Sequence, residues 1–123
     1  MAEKVESHKD LVVWQKSMDL VVLVYKLVQE LPKSEQYALS DQIRRAAVSI
    51  PSNIAEGKSR NSIKEYKHFI GIAKGSVAEL ETQLLICERI GYFNKEEISN
   101  TLGLLDEVSK MLTKLNNVLA PRT

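Results

Sequence analysis

From Ile63 to Cys87 the apolar residues Ile63, Tyr66, Ile70, Ala73, Val77, Leu80, Leu84 and Cys87 alternate at spacings of three and four. Held for more than three heptads, that rhythm specifies one long helix with a single apolar seam. An amphipathic helix of this kind cannot bury its seam alone, so the chain must supply partners. Ser62 with Glu65 matches a capping box at its start, and Gly91 stands where it should end. Gly71 and Gly75 sit one turn apart, with Ala78 beyond. A glycine inside a helix costs about 1 kcal/mol, so the pattern predicts close packing here, with Ala46, Ala47 and Ser49 as natural partners.

The partners are legible on either side. A first helix is predicted over 8–31, capped by Ser7 or Asp10 and stopped by Pro32, with a seam of Leu11, Trp14, Met18, Val21, Tyr25 and Val28. Val13, Leu20, Val24, Leu27 and Leu31 form a second stripe beside it, and Leu20 to Tyr25 is apolar around the whole circumference. A small bundle should keep one face of each helix wet, so this excess predicts self-association.

The second helix is predicted over 34–57, with Ser34 as N-cap and a seam of Leu39, Ile43, Ala46, Ile50 and Asn53, flanked by Ala47 and Ile54. Pro51 removes a donor and crowds the carbonyl of Ala47, which predicts a kink eased by Ser49 or Ser52, or else a break at Ile50. Gly57 is the expected stop. The third helix covers 62–90. The fourth covers 94–119, opened by Asn94 and Glu97, stapled by Phe93 and Ile98, and seamed by Ile98, Leu102, Leu105, Val108, Leu112, Leu115 and Leu119. No stretch alternates with the period of a strand. The expected fold is all-α, an antiparallel up-and-down four-helix bundle in one domain, 8–119, with a flexible N-terminus, 1–7, and a short tail, 120–123.

Composition narrows the function. The longest uninterrupted apolar run, Leu20 to Tyr25, falls far short of the roughly 20 residues a bilayer needs, and the polar first ten residues do not resemble a signal peptide. A cytoplasmic protein with no membrane partner is expected. Cys87 is the single cysteine, which excludes an internal disulfide and reads as a small core residue.

Familiar catalytic constellations fail on spacing. Gly57, Lys58 and Ser59 look like the tail of a phosphate-binding loop, but Ser52 stands where the leading glycine belongs and no strand precedes it. Glu65 and His68 make one Glu-x-x-His, whereas a di-iron bundle needs two such motifs and two more inward glutamates. The other histidine, His8, has Val5 three residues before it. Both Glu65 and His68 lie off the seam, as a solvated face would. Glu56 is expected to balance Arg44, Arg45 or Lys58. Neither a cofactor, a metal site nor a catalytic centre is expected.

The cations carry more. The net charge is only +1, yet 41–76 holds Arg44, Arg45, Lys58, Arg60, Lys64, Lys67 and Lys74 against three carboxylates, a local +4. Over 77–110 the balance reverses, with three cations against seven carboxylates. A basic end and an acidic end follow. Those seven cations are the candidate nucleic-acid-binding residues, converging on the end that holds the second inter-helix loop, where they could neutralise phosphates of RNA or DNA. The bland alternative is a solubilising surface, because a sequence pI of about 7.8 is modest.

The stretch RRAAVSIPSNIAEGKSR, 44–60, preceded by DLVVWQKSMDLVVLVYKL and followed by GIAKGSVAELETQL, resembles the four-helix bundle proteins encoded within intervening sequences of bacterial 23S ribosomal RNA genes. It covers nearly the whole chain, and 49–57 is its most specific part. It is also similar to the accessory variability proteins of diversity-generating retroelements. The family resemblance implies a homopentamer with no enzymatic activity, and the likeness to the accessory variability proteins implies a basic pentameric barrel of the kind implicated in binding nucleic acid and a reverse transcriptase. A protein-protein adaptor with no nucleic-acid role is the alternative.

Overall fold

The computed structural model describes residues 6–119, and within them the chain forms four α-helices and no strand. These are α1 (Val12–Val28), α2 (Leu39–Lys58), α3 (Ile63–Ile90) and α4 (Lys95–Val118). Each packs on its two neighbours around a square, α1 on α2, α2 on α3, α3 on α4 and α4 on α1, and among the described residues neither diagonal pair of helices brings Cα atoms within 8 Å. Short connections make successive helices antiparallel, as in an up-and-down bundle. The starts of α1 and α3 therefore share one end with the finishes of α2 and α4.

The core is drawn from all four helices. Leu20 and Val24, Ile43 and Ile50, Ile70 and Leu80, and Leu105 and Leu112 are fully or almost fully buried. Burying each such aliphatic side chain stabilises the fold by about 1.5–3 kcal/mol. Cys87 is buried among them, as expected.

The bounds of the first two helices and one seam differ from expectation. The first helix does not run unbroken over 8–31. His8–Asp10 is a separate 3-10 turn capped by Ser7, and α1 then ends at Val28. Its last turn tightens, with Glu30 donating to Leu27 and Leu31 to Val28, because the residue before Pro32 is pushed away from helical geometry. The seam of α1 is drawn mainly from the second stripe: Val13, Leu20 and Val24 are buried, with Leu31 beyond the helix end, and they are joined by Val28 from the first stripe and by Ser17, whose hydroxyl donates to the Trp14 carbonyl at 2.7 Å. Met18 and Tyr25 are exposed, while Trp14 and Val21 only edge the core.

Ser34 does not start α2. It lies in a 3-10 turn, Lys33–Glu35, and α2 begins at Leu39 without a side-chain cap. The segment between Leu31 and Leu39 offers no apolar anchor that could hold a helix against the bundle, so it serves as the crossing. Pro51 neither breaks α2 nor ends it; it is buried inside the helix. Ser49 instead reaches α3, its hydroxyl 2.7 Å from that of Ser76, and Asn53 Nδ2 donates to both the carbonyl and the hydroxyl of Ser49.

Gly57 is likewise not a stop. It is a buried helical residue, and a Cβ built there would meet Phe69 Cβ at 3.0 Å and the Tyr66 carbonyl oxygen at 3.1 Å. The close approach of α2 and α3 is made here, not at Gly71 and Gly75, whose missing methyl groups would point into open space.

The last two helices follow the sequence closely. Ser62 accepts from the Glu65 backbone, and Gly91 ends α3 in the left-handed conformation at φ +96°, with Tyr92 donating to Cys87 and Gly91 to Glu88. Asn94 and Glu97 complete a reciprocal capping box, and Phe93 and Ile98 are both buried at the staple positions. The expected flexible N-terminus, over residues 1–5, and the tail 120–123 lie outside the described residues.

Candidate nucleic-acid interface

The seven candidate cations do not converge. Arg44 and Arg45 stand in the second turn of α2 and Lys58 in its last, 14 residues later. At 1.5 Å per residue the separation along the helix is about 21 Å. Arg44 is half-buried, its guanidinium 3.4 Å from the Gln36 carbonyl. Arg45 pairs with Asp41 at 3.0 Å. Both belong to the opposite end of the bundle. Lys74 sits 11 residues into α3, about 16 Å from Ile63 along the axis, on the middle of the barrel wall.

Lys58, Arg60, Lys64 and Lys67 are brought together by the α2–α3 junction. Lys58 closes α2, and Lys64 projects from the first turn of α3. Arg60 pairs with Glu56 and lies over the Phe69 ring at 4.8 Å, so the carboxylate expected to balance Arg44, Arg45 or Lys58 is committed to Arg60 instead. That stacking orients the guanidinium. Lys67 Nζ stands 3.4 Å from the carbonyl of Asn116 in the last turn of α4. No basic side chain of α4's own occupies that turn, so Lys67 caps the negative end of the neighbouring helix. Among the described residues Lys58, Lys64, Lys67 and Lys74 make no ion pair.

Beside these cations opens a cleft of about 840 Å³ between the start of α3 and the finish of α4. Ile63, Ile72 and Leu119 give it an apolar floor, and Lys64, Lys67 and His68 rim it. Ile63 is 60% exposed although it opens the α3 seam, because it faces this cleft. Glu65 and His68 are both exposed, as expected of a solvated face, and no group of three or more His, Cys, Asp or Glu among the described residues could hold a metal.

Two cations at the same end escaped the sequence reading. Lys9, in the N-terminal 3-10 turn, and Lys114, near the finish of α4, are exposed there. The antiparallel topology was the signal that could have found them, since it returns α4 to the end where α1 begins. Opposing them are Glu56, Glu65 and Asp10, whose carboxyl is held below its usual range by the backbone N–H groups of Glu6 and Ser7.

Gly57, Lys58 and Ser59 form no phosphate loop. The first two are helical and the Ser59 hydroxyl donates to the Glu56 carbonyl at 2.7 Å. A helix C-terminus presents carbonyls, the wrong end for an anion.

A family model described as 23S rRNA-intervening sequence protein matches residues 9–114. The chain belongs to that family. The match spans all four helices but for the last turn of α4. A 1.70 Å crystal structure of a protein of unknown function from the S23 ribosomal protein family, from Bacteroides thetaiotaomicron VPI-5482, is also similar. It is 26% identical, covers 85% of this chain and 98% of that one, and superposes with a TM-score of 0.80. A search of curated proteins returns no match. Among the described residues no helix is long and apolar enough to cross a membrane.

Proposed function

We propose that this protein is a non-enzymatic, oligomeric bundle that binds RNA or DNA through phosphate contacts at the α2–α3 end. The observation that carries this reading is the grouping of Lys58, Lys64 and Lys67, three ammonium groups without a carboxylate partner among the described residues, around the fixed guanidinium of Arg60. Lys64 also stands in the first turn of α3, whose exposed N–H groups add positive potential. Such a surface recognises backbone charge and not base sequence.

One chain offers few contacts, and self-association multiplies them. The apolar residues that α1 turns away from the core, Trp14, Met18, Val21 and Tyr25, lie against Val48, Pro51 and Ala55 of α2 in two adjoining hollows. Covering that face with another copy supplies the second burial partner that the excess apolar surface of α1 calls for. The homopentamer implied by the family resemblance would gather five basic ends into one ring.

The alternative, a protein-protein adaptor, draws on the apolar floor of the cleft beside Lys64 and Lys67, which suits an acidic amphipathic helix. A salt titration separates the two. Binding to a fluorescent RNA should weaken steeply with salt, by about 0.7 in log K per log salt for each phosphate neutralised. Capture of partners that survives nuclease treatment, with no RNA binding at low salt, would favour the adaptor.

A further inference from the structure

The outward stripes of α1 and α3 match each other in spacing and are opposite in size. On α1, Trp14, Met18, Val21 and Tyr25 lie outside the core or at its edge, with Met18 and Tyr25 more than 40% exposed. On α3, Gly71, Gly75, Ala78 and Thr82 are exposed, and nothing in the chain lies within 4 Å of a Cβ placed on either glycine. Both stripes step along their helices by four, three and four residues. One is large throughout, the other small.

The two stripes are also level. Ser49 of α2 touches Ser76 of α3, and Gly57 lies against Tyr66 and Phe69. Antiparallel packing from those points sets Val48, Pro51 and Ala55 at the heights of about residues 77, 74 and 70 of α3. On its other side α2 lines a hollow where the same three residues run alongside Val21, Met18 and Trp14 of α1. Each large residue of α1 therefore stands within about one residue, or about 1.5 Å, of the height of its small counterpart on α3.

We infer that the α1 stripe of one copy packs on the α3 stripe of the next, with the two helices parallel and unshifted. Trp14 then covers Gly71, Met18 covers Gly75, Val21 covers Ala78 and Tyr25 covers Thr82. This rests on the self-association in the proposed function and names the two faces that make it. Both helices start at the basic end, so copies related by rotation about an axis along the bundle keep them parallel. A closed ring admits no displacement along that axis, which is why the stripes must be level. The contact joins two different faces, so it repeats around a ring of five as well as of any other number. It also gives the two helix-weakening glycines the compensation that their own protomer lacks.

Charge selects the same register. Asp19 falls beside Lys74 and Lys26 beside Glu81 on one flank, and Arg45 of α2, held by Asp41, falls beside Glu79 on the other. Asp19, Lys26, Lys74, Glu79 and Glu81 make no ion pair among the described residues. A slip of one heptad sets Asp19 against Glu81 in one direction and Lys26 against Lys74 in the other, and takes Trp14 off its glycine in both. Exposed ion pairs contribute little each, so they fix register while the apolar stripe supplies affinity. At the basic end the neighbour's Trp14 closes the cleft at Gly71, and Lys9, just before α1, comes level with Lys64 and Lys67. The cation cluster is completed across the seam.

The test is directional cross-linking. A chain carrying Met18→Cys with Gly75→Cys should give, on mild oxidation, a ladder of disulfide-linked species that ends at the copy number of the ring. Either cysteine alone should give no disulfide dimer, because this contact never sets a position against itself, and the native Cys87 is buried. Gly71→Leu with Gly75→Leu should raise the dissociation constant at least tenfold in sedimentation velocity with helical circular dichroism undiminished, since both sites are open within the protomer. Gly103→Leu, equally open on α4, should assemble like wild type. A monomeric wild type, a double-cysteine chain that does not link, single-cysteine chains that link to themselves, or a double leucine variant that assembles like wild type would overturn the contact. RNA binding is read separately. A full ladder from a protein that binds no RNA at low salt overturns the nucleic-acid reading alone, and RNA binding by a protein that gives no ladder overturns this contact alone.

Discussion

A methyl group on Gly57 would stand 3.0 Å from Phe69 Cβ, so α2 and α3 meet where one of them has no side chain. The Ser49 and Ser76 hydroxyls, 2.7 Å apart, join the same two helices farther along. Together these contacts fix the junction from which Lys58, Arg60 and Lys64 project.

Gly57→Ala should destabilise the bundle by about 1–3 kcal/mol in urea unfolding, because overpacking against the Tyr66 carbonyl outweighs the gain of about 1 kcal/mol in helix propensity. Gly103→Ala, with open space at its Cβ, should stabilise by up to about 1 kcal/mol. A neutral or stabilising Gly57→Ala would show that α2 and α3 can separate without cost.

Gln83 is buried with its Oε1 unpartnered, while its Nε2 donates to Glu79. An unsatisfied buried acceptor costs about 1–3 kcal/mol. Gln83→Leu should therefore raise stability by about 1 kcal/mol and Tm by about 3–6 °C in a calorimetric scan.

Burial pushes the Cys87 thiol up to about 11 from its ordinary 9.0, with the Glu35 charge adding to the effect. Between those values the unfolded chain has lost the proton and the folded one keeps it. Stability should fall as pH rises from about 9 to about 11, and Cys87→Ala should lessen that slope. A thiol reagent at pH 8 should label native protein far more slowly than unfolded protein, as counted by mass spectrometry.

Where local chemistry decides, the sequence was a good guide. Ser62, Gly91 and the Asn94–Glu97 pair bound α3 and α4 through hydrogen bonds made within a few residues. The inner face of α1 was not legible in the same way. Its two stripes are equally apolar, and only the position of α2 and α4 selects Val13, Leu20 and Val24 over Trp14, Met18 and Tyr25. Gly71 and Gly57 were exchanged in role for a related reason, since a glycine's neighbours belong to another helix. Arg44 and Lys58 are near in sequence, which makes the site look like one cluster there. Helical rise separates them, and the same topology returns Lys114 to a place that sequence distance hides.

The most direct measurement compares two charge reversals of equal size in salt-titrated RNA binding. Lys58→Glu with Lys64→Glu should weaken binding at least tenfold and flatten the salt slope, while Arg44→Glu with Arg45→Glu, at the far end, should change it less than threefold. Equal losses in the two variants, or undiminished binding after reversal of Lys58 and Lys64, would contradict a nucleic-acid interface at the α2–α3 end.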